Sequence, residues 1–290
     1  MANLKEIRSR ITSVGSTMQI TSAMKMVSAA KLKRAQDAVT QLRPYANKLR
    51  DILSNISSTL DASAGGELTV QREVKKILLV VVTSNRGLAG AFNSNIVKKS
   101  NSIISEAKDK GIEVELLTIG KKGFDLLKKQ AKVYKNSSSI WDNLSFDELS
   151  LISEEVTQKF ASGEFDQVRI VYNQFKNAAT QIVMNEQYLP VQIQAEEGEA
   201  ATSSVDYIFE PSKERIVTDL IPQTLKTQLY KAILDSNAAE HGARMTAMHK
   251  ATDNADALRK ELVLQYNKER QAAITNEILE IVGGAEALGG

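Results

Sequence analysis

Residues 4–60 read LKEIRSRITSVGSTMQITSAMKMVSAAKLKRAQDAVTQLRPYANKLRDILSNISSTL. Positions taken at alternating intervals of three and four are Leu4, Ile7, Ile11, Val14, Met18, Thr21, Lys25, Ser28, Leu32, Ala35, Val39, Leu42, Ala46, Leu49, Leu53, Ile56 and Leu60, and only Thr21, Lys25 and Ser28 among them are polar. A seven-residue apolar repeat held this long specifies a left-handed supercoiled helix, whose seam needs a partner helix. Beside the three polar seam positions, Ile20, Met24, Met26, Val27, Ala29 and Ala30 spread apolar surface over other faces, so this stretch must touch more than one neighbour. Pro44 lacks the amide that would bond to residue 40 and predicts a kink or a restart near Arg43-Pro44-Tyr45.

The other end of the chain supplies a partner. A second long helical pattern runs from about Lys213 or Pro222 to about Ile281, broken only at Gly242 and expected to stop at Gly283-Gly284. From 213 to 282 such a helix would span roughly 105 Å at the standard rise per residue, far more than a small domain's diameter. Ala239, Ala243, Ala247, Ala251 and Ala255 recur at every fourth position, which lets another helix approach closely, and Met245 and Met248 fill gaps beside them. Leu264, Asn267, Gln271, Ile274, Ile278, Ile281, Ala285 and Leu288 then resume the three-four spacing. Two helices with unpaired seams at opposite chain ends suit one antiparallel coiled coil; a homotypic coiled coil between chains is the alternative.

Between them the period changes. Lys76-Ile77-Leu78-Leu79-Val80-Val81-Val82-Thr83 is a continuous β-branched and apolar run that reads as a buried parallel strand. A turn at Ser84-Asn85-Arg86-Gly87, an amphipathic stretch Phe92–Lys110, a strand Val114–Ile119, helices Lys122–Lys129 and Phe146–Ala161, and a strand Gln167–Phe175 follow. This alternation predicts a small, doubly wound, Rossmann-like α/β domain. The fold class is therefore α/β with a long antiparallel coiled coil, divided into a first helix at 1–62, an α/β domain at 74–195 and a last helix at 210–288. Gly65-Gly66 reads as a linker and Glu196–Ser204 as an exposed loop.

Aromatic residues are only 5% and prolines only 4, a helix-rich balance. The 37 basic and 35 acidic side chains nearly cancel to +2, which gives nucleic-acid binding little support. The absence of Cys removes thiolate nucleophiles, disulfides and Cys-ligated metals, and fits a reducing compartment. No apolar run approaches the ~20 residues needed to cross a bilayer. The first eight residues alternate charged and apolar positions and carry neither a signal nor a transit pattern, so a bacterial product kept in the cytoplasm is expected.

Few residues resemble an active site. Gly87-Leu88-Ala89-Gly90 follows a strand and opens a helix, but it lacks the third glycine of a dinucleotide loop and no Gly-Lys-Ser/Thr loop occurs, so a tight turn is the expectation, with Arg86 free to meet a partner carboxylate. His241 and His249 stand roughly 80° apart around a helix and do not form a chelating pair, which makes them surface or packing residues. No Ser-His-Asp set or spaced acid pair is recognisable. Arg8, Arg10, Lys25, Lys31, Lys33 and Arg34 crowd the apolar seam of the first helix; a solvated face is the plain reading and a basic collar against an acidic partner the sharper one.

Several of these segments together resemble the gamma-subunit family of the F-type ATP synthases, in its bacterial form. They are Leu4–Ile11, Ile20–Lys31, Ser84–Gly90, Ala243-Arg244-Met245-Thr246-Ala247-Met248 with Ala251–Ala255, and Tyr266–Thr275. The resemblance implies a non-catalytic rotor shaft, with no cofactor or metal, whose terminal helices enter a hexamer of alpha and beta subunits. It also implies an α/β domain lying with the epsilon subunit on a membrane ring of c subunits, so that the chain couples proton flow to the beta catalytic sites and regulates ATPase activity. Membrane association would then come only through the complex, peripherally, on the cytoplasmic side of the cell's inner membrane. By the same resemblance Arg270, Gln271 and Thr275 grip a beta subunit, Met24 and Lys25 make the opposing contact, and Tyr207, Phe209 and Glu210 form a foot on the ring. Ile274, Ile278, Ile281 and Val282 would supply the weakly directional contacts of a bearing. The plastid members' Cys-containing regulatory insert has no counterpart here. The rivals are a nucleotide-binding enzyme with a coiled-coil tether, which would bind ATP or NAD alone, and a plain dimerising tether.

Overall fold

The protein is described by a computed structural model at residues 4–57, 67–191 and 213–288. Among the described residues five α-helices and five strands follow in order, with a 3-10 turn at Ser138–Trp141: α1 (Leu4–Ser57), β1 (Lys76–Val82), α2 (Phe92–Asp109), β2 (Glu113–Ile119), α3 (Lys121–Leu127), β3 (Lys132–Asn136), α4 (Phe146–Ala161), β4 (Gln167–Phe175), β5 (Gln181–Leu189) and α5 (Lys213–Leu288). They divide into two compact units, one made of Ala29–Arg244, the other of the chain ends up to Ser28 and from Met245.

The larger unit holds one sheet in the order β3-β2-β1-β4-β5. The β1–β2, β1–β4 and β2–β3 pairs are parallel and β4–β5 is antiparallel, so the sheet is mixed. Central β1 explains the continuous apolar run: successive side chains point to opposite faces, and both faces are covered. Leu78, Val80 and Val82 join Leu117, Ile119, Ile170 and Tyr172 under α4 and α5. Ile77, Leu79 and Val81 join Leu116 and Val171 under α2 and α3. Helix α4 opens as its sequence dictates, with the Glu148 amide donating to the Ser145 hydroxyl at 3.3 Å.

Three details depart from the sequence reading. The edge strands β3 and β5, KVYKN and QIVMNEQYL, were not anticipated, because half-buried edges carry too many polar residues to announce themselves. Helix α1 continues through Pro44, so of the two alternatives the restart does not occur; the proline stands on an exposed face. Helix α5 starts at Lys213, contains Pro222, and passes through Gly242 and Gly283-Gly284 to Leu288 rather than stopping at the glycine pair. Glycine weakens a helix by about 1 kcal/mol relative to Ala but does not forbid helical backbone.

The seam of α1 is buried as its spacing requires. All fourteen of its positions from Leu4 to Leu49 are buried or half-buried. Within the smaller unit the partner is α5: the Thr21 and Thr252 hydroxyls lie 2.8 Å apart, and Lys25 Nζ is 3.4 Å from His249 Nδ1. Within the larger unit Gln223 donates to the Tyr45 hydroxyl at 3.1 Å, and Ala35 and Ala38 share a cavity wall with Leu234 and Asn237. In both units α1 numbering rises as α5 numbering falls, so the pairing is antiparallel. The polar seam residues are thereby explained: Thr21 bonds across the seam, and the Ser28 hydroxyl returns to the Met24 carbonyl at 2.7 Å.

Candidate functional site: a filled crevice and exposed apolar faces

The strand order reverses between β1 and β4, and an α/β sheet binds its ligand in the crevice beyond the carboxyl ends of such strands. Here the turn after β1 is stitched to its surroundings. The Ser84 amide donates to Asn93 Oδ1 at 3.0 Å, the Ser84 hydroxyl to the Arg86 carbonyl at 2.6 Å, and the Lys121 amide to Asn85 Oδ1 at 2.9 Å. Asn85 Nδ2 donates onward to the Ser138 carbonyl at 2.9 Å. Leu88 and Gly90 both take positive φ, 62° and 57°, which closes the turn as tightly as the sequence reading expects.

Helix α5 occupies the crevice. Ala239 and Ala243 form a buried cluster with Ala89, Phe92 and Phe175. Between them Gly242 lies so close to the β4–β5 turn that a Cβ there would be 3.2 Å from Ala178 Cα and 3.3 Å from Phe175 Cε2. The alanine row of α5 thus does two jobs: Ala239 and Ala243 seat the helix on the sheet domain, while Ala255 is buried in the smaller unit. Arg244 adds polar contacts, donating to Glu240 Oε1 at 2.6 Å and to the carbonyls of Arg86 and Gly87 at 3.3 Å.

The titratable groups of this unit are set by burial. Burial pushes the Glu240 carboxyl above its ordinary range, against the pull of the Arg244, Lys31 and Arg86 charges. It also raises Asp235, opposed by Lys231 and Arg43 and reinforced by Glu186. His241 is pushed down to about 4, first by burial and then by Arg244 and Lys31, and stays neutral as a packing residue. Lys31 and Arg34 line a cavity of about 270 Å³ together with Leu144, Tyr230 and His241. Among the described residues no His, Asp or Glu cluster has metal-ligand geometry.

The smaller unit carries the proposed contact residues. Met24 and Lys25 are half-buried in α1, flanked by Ile20, Met26 and Val27 at 57–65% exposure. Arg270, Gln271 and Thr275 are exposed on α5, with the Thr275 hydroxyl donating to the Gln271 carbonyl at 2.9 Å. Since Lys25 faces His249, these two groups are separated by about 30 Å along the helix and form two surfaces rather than one. Ile274, Ile278, Ile281 and Val282 are 45–67% exposed, joined by Leu279. Tyr207, Phe209 and Glu210 lie outside the described residues. No helix among the described residues is long and apolar enough to cross a membrane. Glu240 and Asp235 were not singled out from the sequence; the one available signal for the first was the four-residue spacing to Arg244 amid alanines.

Comparison with known proteins places this geometry. A family model described as ATP synthase matches residues 3–288. The chain is 63% identical to the ATP synthase gamma chain of Flavobacterium johnsoniae and 46% identical to that of Chlorobium phaeobacteroides, with both chains of each pair covered in full. Among solved structures it is similar to a central-stalk chain of the Tetrahymena thermophila mitochondrial ATP synthase, at 27% identity and a TM-score of 0.59, covering 80% of this chain and 99% of that one. A chain of the Euglena gracilis mitochondrial ATP synthase shares the fold at 20% identity with a TM-score of 0.68, covering 98% and 94%.

Proposed function

The chain belongs to the ATP synthase gamma-chain family, and from that premise we propose that it is the central-stalk rotor shaft, coupling proton-driven rotation of a c-subunit ring to the conformational cycle of beta catalytic sites. It carries no catalysis of its own. The observation that carries this reading is that α5 fills the crevice in which an α/β enzyme would hold a nucleotide, while apolar side chains stay exposed near the chain ends. Function is argued from the site rather than from the fold, and here the chain's own helix takes the place a ligand would need.

The partners are the alpha and beta subunits, the epsilon subunit and the c ring, with membrane attachment only through the complex, on the cytoplasmic face of the inner membrane. In functional terms residues 1–62 and 210–288 are the shaft and 74–195 the base. Met24 and Lys25 meet one beta subunit, and Arg270, Gln271 and Thr275 grip another. The two surfaces are distant from each other, so each can favour a different neighbour, and a switch works only through such differential contacts. Ile274, Ile278, Ile281 and Val282 are the bearing, and Tyr207, Phe209 and Glu210 the foot on the ring. Through these contacts the chain also regulates ATPase activity and proton flow.

Co-purification with alpha and beta subunits, followed by ATPase assay with and without the chain, tests the reading. A stable complex whose turnover depends on the chain is expected. Failure to assemble, together with ATP or NAD binding by the isolated chain in calorimetry, would sink it.

A further inference from the structure

Small apolar residues seat α5 in the crevice, through contacts that are individually weak and carry no charge or hydrogen bond. The polar contacts beside them are different in kind. Glu240 and Arg244 are one helical turn apart, joined at 2.6 Å, and only 11% and 10% exposed. A guanidinium presents five donors in a rigid fork, so one arm can hold an acceptor on its own helix while the other reaches acceptors elsewhere. Here the second arm meets the Arg86 and Gly87 carbonyls, both in the turn that leaves β1. That turn is itself tied to α2, α3 and the 138 region through Ser84 and Asn85. The contact is therefore stiff on both sides, and it sits where α5 runs on past Arg244 toward Leu288.

We propose that Glu240 and Arg244 form a torsional latch that fixes the rotational setting of α5 against the β1–α2 turn, so that torque applied to the α/β domain enters the helix at this level. This rests on the rotor reading. Arg244 is the positioning residue and Glu240 holds its fork in plane. Without the latch, Ala239, Gly242 and Ala243 still seat the helix, so the chain folds and joins its complex. The helix then yields only under load. Rotation against little resistance survives, and rotation against a proton gradient slips.

The test uses the whole complex in membrane vesicles, carrying Arg244→Gln, Arg244→Lys, Glu240→Gln or Glu240→Gln with Arg244→Gln. Loss of a charge-assisted bond at one shared site predicts that Arg244→Gln lowers the ATP-driven proton gradient at least ~threefold while ATPase without a gradient stays within about twofold. Arg244→Lys, which keeps the charge but not the fork, should recover part of the loss. The double variant should be no worse than Arg244→Gln alone, because both changes open one latch. An unchanged gradient in Arg244→Gln, multiplying losses in the double variant, or equal falls in ATPase and pumping would each overturn the latch. Should Arg244→Gln not assemble, Glu240→Gln, which keeps the side chain's shape, decides the matter by the same two assays. Hydrogen exchange at amides 86–90 reports in parallel, and unchanged protection there in Glu240→Gln counts against the latch. A wild-type chain that supports neither ATPase nor pumping overturns the rotor reading instead.

Discussion

Gly120 is the clearest case of one residue deciding local structure. It takes φ of 123° and a Cβ on it would run into the Thr83 carbonyl, while its neighbour Gly123 faces the Thr83 hydroxyl, which accepts the Gly123 amide at 2.8 Å. Gly120→Ala is expected to destabilise the α/β domain by roughly 3 kcal/mol or more, read as a lower midpoint in urea with unchanged slope. Nothing in the sequence singles out this glycine, because the need for it arises only when β1 and β2 end side by side. Asp235 gives a prediction of the opposite sign. Its folded-state pKa is raised by burial, and its Oδ1 has no hydrogen-bond partner. The unfolded chain therefore releases this proton first, and the group's contribution to stability, full below the ordinary carboxylate range, is lost as pH rises through the raised value. Asp235→Asn should melt higher than wild type at pH 7.5, by about 2–4 °C for each kcal/mol recovered, and the difference should close toward pH 4. His241 works the other way: lowered to about 4, it contributes stability above pH 6.5 that fades as pH falls toward that value.

The elements themselves were legible where their periodicity is strong. The α1 seam, β1, α4 and β4 fall where their spacing puts them, whereas β3 and β5 do not, because an edge strand with one polar margin has little pattern to read. The glycines of α5 show where sequence alone misleads. Gly242 is required by its approach to Ala178 and Phe175, while a Cβ on Gly283 or Gly284 meets nothing within 4 Å. Gly242→Leu should therefore cost about 2–3 kcal/mol through overpacking. Replacing Gly283 and Gly284 together by Ala should add up to ~1 kcal/mol of helix stability per site, seen as slower amide exchange near the end of α5. Read from the sequence, both looked like helix punctuation; only the neighbour of each separates a seat from an ordinary helical position.

For the molecule as a whole, the α1 seam and the alanine row of α5 gave the coiled coil away, whereas the three-four spacing of α5 from Leu264 to Ala285 reads as a seam and is exposed. An exposed Ile278 and a buried Ile7 are alike until the folded partner of each is known. From residue 265 to 285 no side chain is buried, so removal of everything from Tyr266 onward takes away little that holds this chain together. Truncation before Tyr266 should leave the α/β domain's unfolding free energy within about 0.5 kcal/mol of that in the full chain. Coupled proton pumping by the assembled complex should fall much further. Equal losses in both assays would contradict the assignment of the tip to partner contact. The seat of α5 on the sheet also has a temporal consequence. Ile221, Leu225, Leu229 and Ile233 complete the same apolar cluster as β1 and β4. A nascent chain that has finished β5 at Leu189 must still emerge by more than forty residues before that face is covered, an interval of a few seconds at ribosomal speed. Throughout it, a bare apolar surface waits for its own carboxyl end, and that is the moment at which a holding chaperone has something to bind.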